Sequence, residues 1–250
     1  MIMSSLHQTK GVVLRAVKYG ETSLVVSIFT ELFGLQQYMV NGVRTSKKNL
    51  NISSSQLQPG NLLELVVYQN EKQTLQRIKE SKLAIQINDA SASITKNTVL
   101  LYMMELLQNC LKQPDSNPPL FYFLEDVLSG LSHANETETA NLPLFFTLHL
   151  SHFFGFRLMD NFSSTSDCLD LREGQFVDTI PMHQLIVQMP LSEKIAQLLR
   201  VMQITELGEI KLNKYQRNQI LDDLLKFYGL HIHPFGSIRS LAVIRAVFEN

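Results

Sequence analysis

The hydrophobic period of this chain changes once along its length, and that change constrains the fold more than any single motif. Up to about residue 83, short β-branched runs separated by turn residues indicate strands. From about residue 90 onward, apolar residues recur nearer every three and a half positions, as on amphipathic helices. In a chain of 250 residues, this change predicts an α+β protein with a β-barrel domain over residues 1–83 and an all-α helical domain over residues 84–250.

Five strands are predicted in the first domain. Turn-like residues at Tyr19-Gly20-Glu21 and at Glu31–Gly34 separate the first three runs, so these runs are expected to form a meander. Two more runs follow a polar loop. The predicted strands span residues 11–17, 23–30, 35–40, 62–68 and 75–83. Five short strands are what an OB-fold barrel requires.

Basic residues are concentrated in the first domain. Residues 1–82 contain ten Lys and Arg against five Asp and Glu, whereas residues 83–250 contain twelve against eighteen. The Asn41-Gly42 pair can take the positive φ of a tight turn. That turn would present three cations to solvent: Arg44, Lys47 and Lys48. The asymmetry indicates a nucleic-acid face on the first domain, and the alternative is a solvated charged face without a ligand.

Six helices are predicted in the second domain. They span residues 99–111, 120–131 and 142–154, a stretch beginning after Pro190, and residues 214–228 and 238–248. Ser192 is predicted to cap the fourth helix, and Gly229 to end the fifth. The polar run Ser132–Asn141 predicts a loop, and residues 155–189 an irregular segment.

Several stretches of this sequence resemble the RecO family of bacterial recombination mediators. At the amino-terminal end these are residues 11–15, Tyr19–Ser23, Phe29–Leu35 and Asn41–Arg44 with the lysines that follow. Near the other end, Phe227–His231 and then Ile238–Leu241 resemble the closing helix of the same family. The resemblance implies an OB-fold barrel followed by a helical domain.

The resemblance also implies an activity. The protein would bind single-stranded DNA without ATP, anneal complementary strands, and help to load RecA onto DNA coated with single-strand-binding protein. Its partners would be RecR and that coating protein, and no cofactor is implied. Binding of any DNA sequence needs cations along a groove and aromatic rings that stack on bases. The candidate residues are Arg15, Lys18, Tyr19, Tyr38, Arg44, Lys47 and Lys48. For the two tyrosines, the alternative is a place in the core or a cross-strand pair.

The helical domain is expected, from the same resemblance, to hold the acidic carboxy-terminal tail of single-strand-binding protein. A tail that ends in an apolar residue needs an apolar pocket rimmed by cations. The candidate cations are Lys112, Arg157, Lys211, Lys214 and Arg217. The alternative is that these residues only balance neighbouring carboxylates.

The cysteine content argues against a metal site. Many RecO relatives carry a four-cysteine zinc site in the middle of the helical domain, whereas the corresponding stretch here offers only Cys168. The second cysteine, Cys110, lies on a predicted helix, so no metal is expected. Scarce cysteines and the lack of a secretory signal predict a cytoplasmic protein, and the resemblance implies that it is nucleoid-associated. The longest apolar stretch, Leu142–Phe156, is too short and too polar to span a membrane.

Catalytic motifs are missing from the sequence. It contains no phosphate-binding loop, no Gly-x-Ser-x-Gly elbow and no His-Glu-x-x-His helix, so the chain is not expected to be an enzyme. Two other classes stay open. One is a protein-adaptor module whose barrel and helices bind only protein partners. The other is an enzyme whose site is assembled from His149, Asp160 and His183.

Overall fold

The computed structural model describes residues 5–43, 52–70, 72–85 and 93–248. The chain forms two compact units. The first comprises Met1–Ser93 with Leu111–Ser129, and the second Ile94–Cys110 with Gly130–Asn250. Residues 111–129 therefore group with the barrel, although the sequence placed them in the helical domain. The predicted division of the chain into domains of residues 1–83 and 84–250 stays a prediction.

The strands of the first unit close into a five-stranded barrel. They are β1 (Ser5–Tyr19), β2 (Ser23–Thr30), β3 (Gly34–Val40), β4 (Leu62–Gln69) and β5 (Leu75–Ile85). The strand order is β1-β2-β3-β5-β4, and β4 pairs with β1 to close the ring. Only β3 and β5 run parallel. This is the connectivity of an OB-fold, so the predicted barrel is confirmed.

Strand β1 is long because it pairs with two neighbours. Its first half pairs with β4 and its second half with β2. The register with β2 shifts between Val13 and Arg15, so Leu14 and Arg15 together oppose the single residue Ser27. Such a β-bulge reverses which side of the sheet the following residues face. Arg15 therefore faces outward, although strict alternation from Val13 would turn it inward.

Alternate residues of the five strands fill the barrel. This core includes Val13, Val26, Ile28, Tyr38 and Leu63, each with no exposed surface. Gly34 begins β3 with a left-handed φ of 62°. A Cβ at that position would collide with the backbone carbonyl of Asp115, so glycine is required there for both conformation and space.

One part of the outer barrel surface is covered within the first unit. Helix α2 spans Pro118–His133, and its residues up to Ser129 belong to this unit. The ring of Phe121 lies 6.1 Å from that of Phe29, and Glu125 Oε1 lies 2.7 Å from Lys10 Nζ. Val12, Phe29 and Leu62 are paired across neighbouring strands outside the inner core and are nonetheless buried. This part of the surface cannot bind a ligand.

The second unit is built around one central helix. Its helices are α1 (Ile94–Cys110), α3 (Glu136–Leu150), α4 (Leu191–Leu199), α5 (Lys214–His231) and α6 (Ser240–Val247). Two 3₁₀ turns, Ser151–Phe154 and Ile204–Gly208, complete them. Helix α3 packs against α1, α4 and α5, and it is therefore buried almost all round. None of the helices in the described ranges is long and apolar enough to cross a bilayer.

Three local predictions in this unit are wrong. Helix α3 begins at Glu136, inside the predicted loop, because Asn135 and Glu138 cap it reciprocally. The backbone N–H of Glu138 donates to Asn135 Oδ1 (3.0 Å), and the backbone N–H of Asn135 donates to Glu138 Oε2 (2.9 Å). Ser192 does not cap α4; Pro190 occupies the capping position and Ser192 is buried. Helix α5 continues through Gly229 and ends at His231. A side chain at position 229 would meet open space.

The segment predicted to be irregular contains a small sheet. Its strands are β6 (Cys168–Asp170), β7 (Gln175–Val177) and β8 (Ile186–Val187), with β6 in the middle. Buried Asp170 supports the turn after β6, because its Oδ1 accepts from the N–H groups of Arg172 (2.8 Å) and Glu173 (3.2 Å). Its Oδ2 lies 3.3 Å from His183 Nε2. Strands of two or three residues are too short for a hydrophobic period to reveal them.

Candidate nucleic-acid interface and candidate peptide pocket

The uncovered part of the barrel surface begins on the second half of β1. Arg15, Val17 and Tyr19 alternate along the strand and are all exposed, Val17 by 43% and Tyr19 by 60%. Alternation places these three side chains on one face. Lys18 pairs with Leu24, a core residue, yet it is itself exposed at the rim of the barrel.

Strand pairing extends this surface sideways. Val17 pairs with Val25, and Val25 with Met39. The parallel pairing of β3 and β5 then brings Arg77 beside Met39, and β4 brings Tyr68 beside Arg77. We call this surface the open barrel face. It comprises Arg15, Val17, Tyr19, Val25, Met39, Tyr68 and Arg77.

The open barrel face combines cations with flat or apolar side chains. Arg15 and Arg77 are exposed, as is Lys18 at its edge. Across residues 5–43, 52–70, 72–85 and 93–248, none of these three cations lies within ion-pair distance of a carboxylate. Tyr19 and Tyr68, which is 38% exposed, offer rings to a ligand. Unpaired cations beside exposed rings suit an extended polyanion that carries planar groups.

The structure separates the predicted DNA-binding residues into three groups. Arg15, Lys18 and Tyr19 lie on or beside the open barrel face. The stacking role predicted for Tyr38 is wrong, because Tyr38 has no exposed surface and points into the barrel core. Burial raises the pKa of its phenol, which has no hydrogen-bond partner among the described residues. Three predicted residues lie outside the described ranges: Arg44, Lys47 and Lys48.

Sequence reasoning missed Arg77 and Tyr68. Both lie in strands that the sequence did predict, and each side chain is exposed. The sequence does not reveal the parallel pairing of β3 with β5, because contacts between strands distant in sequence leave no local pattern.

A second candidate site lies in the helical unit, between α3, α5 and α6. Its apolar wall includes Pro143 and Leu144 from α3 and Leu221 from α5. Ile244 and Phe248, from α6 and the residue after it, complete the wall. Lys214 and Arg217 are the two cations that line it. We call this site the helical pocket.

Arg217 is the electrostatic centre of the helical pocket. Its Nη1 donates to the carbonyl oxygen of Leu212 at 2.7 Å, and its Cζ lies 5.9 Å from the centroid of the Phe248 ring. Its buried Nε–H finds no acceptor among the described residues. Burial lowers the pKa of this guanidinium. A partly buried guanidinium with an unsatisfied donor suits a carboxylate, which can form a charge-assisted hydrogen bond there.

Only two of the five predicted tail-binding cations meet at one site. Lys214 and Arg217 share the helical pocket. Lys211 is exposed, and its Nζ lies 3.3 Å from the carbonyl oxygen of Gly208. Arg157 is exposed after the 3₁₀ turn that follows α3, and Lys112 is exposed in the first unit.

Within the described ranges, none of the three residues considered for an assembled active site pairs with another of the three. Asp160 accepts three hydrogen bonds from Arg200, two from Nε at 3.1 and 3.0 Å and one from Nη2 at 2.9 Å. His183 lies beside Asp170. Burial, and then the neighbouring His152, lowers the pKa of His149 to about 4. Their separate surroundings favour structural roles for all three.

The cysteines and histidines of the described chain do not form a metal cluster. Cys110 and Cys168 are both buried thiols. Within the described ranges, no group of three His, Cys, Asp or Glu side chains is placed to hold an ion. The ring of His231 stacks on Phe156 at 4.9 Å, as a packing role would require. The expected lack of zinc stays a prediction.

Comparison with known proteins covers both units. The sequence profile described as "Recombination protein O N terminal" matches residues 3–86, and that described as "Recombination protein O C terminal" matches residues 91–239. Three similar curated proteins are each named DNA repair protein RecO. They come from Azobacteroides pseudotrichonymphae (28% identity, 98% of this chain and all of the relative), Flavobacterium psychrophilum (29%, 97% and 99%) and Bacteroides fragilis (28%, 98% and all).

Proposed function

Because the chain belongs to the RecO family of DNA repair and recombination proteins, we propose that it is a recombination mediator that binds single-stranded DNA on the open barrel face. It anneals complementary strands and helps to load RecA onto DNA coated with single-strand-binding protein. RecR and the coating protein are the proposed partners. The work needs no catalytic residue and no ATP.

The observation that carries this proposal is the composition of the open barrel face. Arg15 and Arg77 project from a continuous surface that also exposes Tyr19 and Tyr68. Phosphates attract the guanidinium groups regardless of sequence, and any base can stack on a phenol ring. A surface of this kind binds single strands with little sequence preference. A duplex hides its base faces, so it loses the stacking contribution.

Annealing follows from the same electrostatics. Two single strands repel each other through their phosphates. A cationic surface that holds both strands lowers that repulsion and raises their local concentration. Base pairing then supplies the driving force, and the protein supplies counter-charge.

We assign the tail of single-strand-binding protein to the helical pocket. The apolar end of the tail would contact Leu144 and Leu221, and a tail carboxylate would accept from Arg217. The supporting observation is the unsatisfied Nε–H of Arg217 at the wall of an apolar site. Lys214 adds positive charge at the same place.

A protein-adaptor role is the second candidate, and a cleft in the first unit favours it. The cleft encloses about 690 Å³ against β1, β4 and β5. Its charged lining mixes both signs: Lys10, Glu31, Glu64, Glu80 and Lys82. Three carboxylates against two amines suit a protein surface better than a polyanion.

A salt titration separates the two candidates. Binding of fluorescein-labelled single-stranded and duplex oligonucleotides is measured by anisotropy from 50 to 300 mM NaCl, without nucleotide. The mediator predicts tighter binding of the single strand and a linear fall of log affinity with log salt, with a slope of roughly −0.7 per phosphate contact. An affinity independent of salt, or no DNA binding at low salt, contradicts the mediator and favours the adaptor.

A further inference from the structure

Phe248 lies at the entrance of the helical pocket. It directly follows the last residue of α6, and its backbone N–H donates to the carbonyl oxygen of Ile244 at 3.0 Å. Its ring is half-buried and faces the Arg217 guanidinium at 5.9 Å. An aromatic ring thus occupies the cationic end of an otherwise aliphatic site.

The pocket is nearly closed with Phe248 in this position. Its cavity measures about 10 Å³, and a cavity needs roughly 10–15 Å³ to hold a single water molecule. No leucine, isoleucine or phenylalanine side chain of a ligand fits in that volume. A ligand with an apolar end therefore requires one wall to move.

The wall formed by Phe248 is the one least firmly held. Helix α6 is anchored at its start, where Glu105 accepts from the N–H groups of Arg239 (2.9 Å) and Ser240 (2.8 Å). It is anchored again by the ion pair of Arg245 with Asp222. Phe248 lies beyond both anchors, whereas Pro143, Leu144 and Leu221 belong to long packed helices. The end of a helix can fray while the rest stays folded.

We propose that Phe248 is a built-in plug of the helical pocket, which occupies the place of the apolar residue of an acidic peptide and must leave before that peptide binds. This inference rests on the proposed function of the pocket as a peptide site. The peptide carboxylate then takes the free Nε–H of Arg217, because a charge-assisted hydrogen bond is stronger than the contact of a ring with the same cation. The plug keeps a buried cation covered when no peptide is bound.

Removing the plug tests the proposal. A labelled acidic peptide that ends in phenylalanine is titrated against the full chain, its Phe248→Ala variant and the matched control Val243→Ala, which removes an exposed side chain of α6 outside the pocket. Loss of the ring contact should raise the affinity of Phe248→Ala about threefold. Val243→Ala should bind like the unchanged chain.

The outcomes separate the plug from the peptide site. If the unchanged chain binds the peptide and Phe248→Ala binds it equally or more weakly, Phe248 is an ordinary wall and the plug is refuted while the site stands. If neither protein binds, both are refuted.

A second measurement follows the ring itself. The chain contains no tryptophan, so Phe248→Trp introduces a single tryptophan at the plug, whose emission can be followed selectively. Saturation with peptide should shift its emission to the red and increase its quenching by acrylamide, as the ring moves into water. Saturated binding with unchanged emission and quenching overturns the proposal, even if Phe248→Ala does not fold.

Discussion

The open barrel face and the helical pocket differ in how they hold a cation. On the barrel, Arg15 and Arg77 are exposed among other exposed side chains. Arg217 in the pocket is half-buried, and its Nε–H has no acceptor in the described part of the chain. Exposed charges are screened strongly by salt, and partly buried ones much less. The first arrangement suits a long chain of phosphates that makes many weak contacts. The second suits one carboxylate held at one position.

Removal of the two exposed arginines of the open barrel face should have the strongest effect on DNA binding. The double variant Arg15→Ala/Arg77→Ala should weaken single-strand binding roughly 20-fold at 0.1 M salt and flatten the salt slope by about 1.4, because two phosphate contacts are lost. Anisotropy titrations measure both quantities. Peptide binding should not change.

A control variant with the same charge loss is Arg172→Ala/Lys226→Ala, whose two residues belong to the helical unit and line neither site. It should bind DNA normally. An equal loss of DNA affinity in this control would show that only net charge matters.

The triple variant of Arg44, Lys47 and Lys48 to Ala tests the turn predicted from the sequence. Normal binding by that variant would leave Arg15, Arg77 and Lys18 as the cationic surface.

Substitution of Arg217 should have the next largest effect, on the affinity of the helical pocket for the acidic peptide. Arg217→Ala should weaken binding of the acidic peptide about 10-fold, since a hydrogen bond to a charged group contributes about 1.5–3 kcal/mol. Arg217→Lys should fall between, because an ammonium cannot reproduce the planar donor fork. DNA affinity should stay unchanged in both variants. A peptide affinity that falls with salt as steeply as the DNA affinity would contradict the contrast between exposed and half-buried cations.

Acid should loosen the start of α6, the helix that supplies one wall of the helical pocket. Burial alone would raise the pKa of Glu105, but hydrogen bonds from Ser240 and Arg239 outweigh it, and the net pKa lies below the ordinary 4.5. The carboxylate therefore stabilises the folded state above the unfolded pKa, and this contribution is lost as the pH falls through the folded one. Glu105→Gln should lower the free energy of unfolding by about 1 kcal/mol at pH 7, as loss of a helix cap does.

Denaturant titrations at pH 7 and at pH 3 check this expectation. The difference between Glu105→Gln and the unchanged chain should shrink at the lower pH. A difference that is constant with pH would show that the charge of Glu105 does not hold the start of α6.

A smaller effect contrasts two tyrosines of the first unit. Tyr38→Phe removes a buried hydroxyl that has no partner among the described residues, so the free energy of unfolding should stay the same or rise by up to about 1 kcal/mol. DNA affinity should not move. Tyr19→Ala, by contrast, should weaken binding of single strands without changing the salt slope, because stacking is lost and no charge is removed. A flatter slope in Tyr19→Ala would contradict the stacking role.

No effect at all is expected from removing metal. Dialysis against a chelator should leave the unfolding midpoint, the DNA affinity and the peptide affinity unchanged, since the chain has only two thiols. Metal analysis that finds about one tightly held zinc per chain would overturn this expectation.

The local sequence pattern predicted the secondary-structure elements better than it predicted which of them pack or pair together. Strand β2 runs from Ser23 to Thr30 as predicted, because its apolar run is flanked by turn residues on both sides. The start of α3 was missed because the residues that cap it, Asn135 and Glu138, are polar like those of a loop.

The candidate sites show the same limit. Tyr19 and Tyr38 are the same residue type in neighbouring strands, and only the side of the sheet on which each lies separates a surface ring from a core ring. Arg77 joined the open barrel face through a pairing between strands more than thirty residues apart in sequence. The sequence could not separate Arg217 from the four other candidate cations. The packing of α3, α5 and α6 places it beside an apolar wall.

The bulge at Leu14 has a consequence for how this protein can vary. Leu14 is the extra residue of this bulge, so its deletion would leave Val13 opposite Ile28 and Arg15 opposite Ser27, and Arg15 would still face outward. A deletion at Ala16 instead would shift the residues after it by one position and turn Val17 and Tyr19 toward the barrel interior. The second half of β1 can therefore lose one residue at the bulge without losing its outer face, whereas a loss after Arg15 would reverse that face.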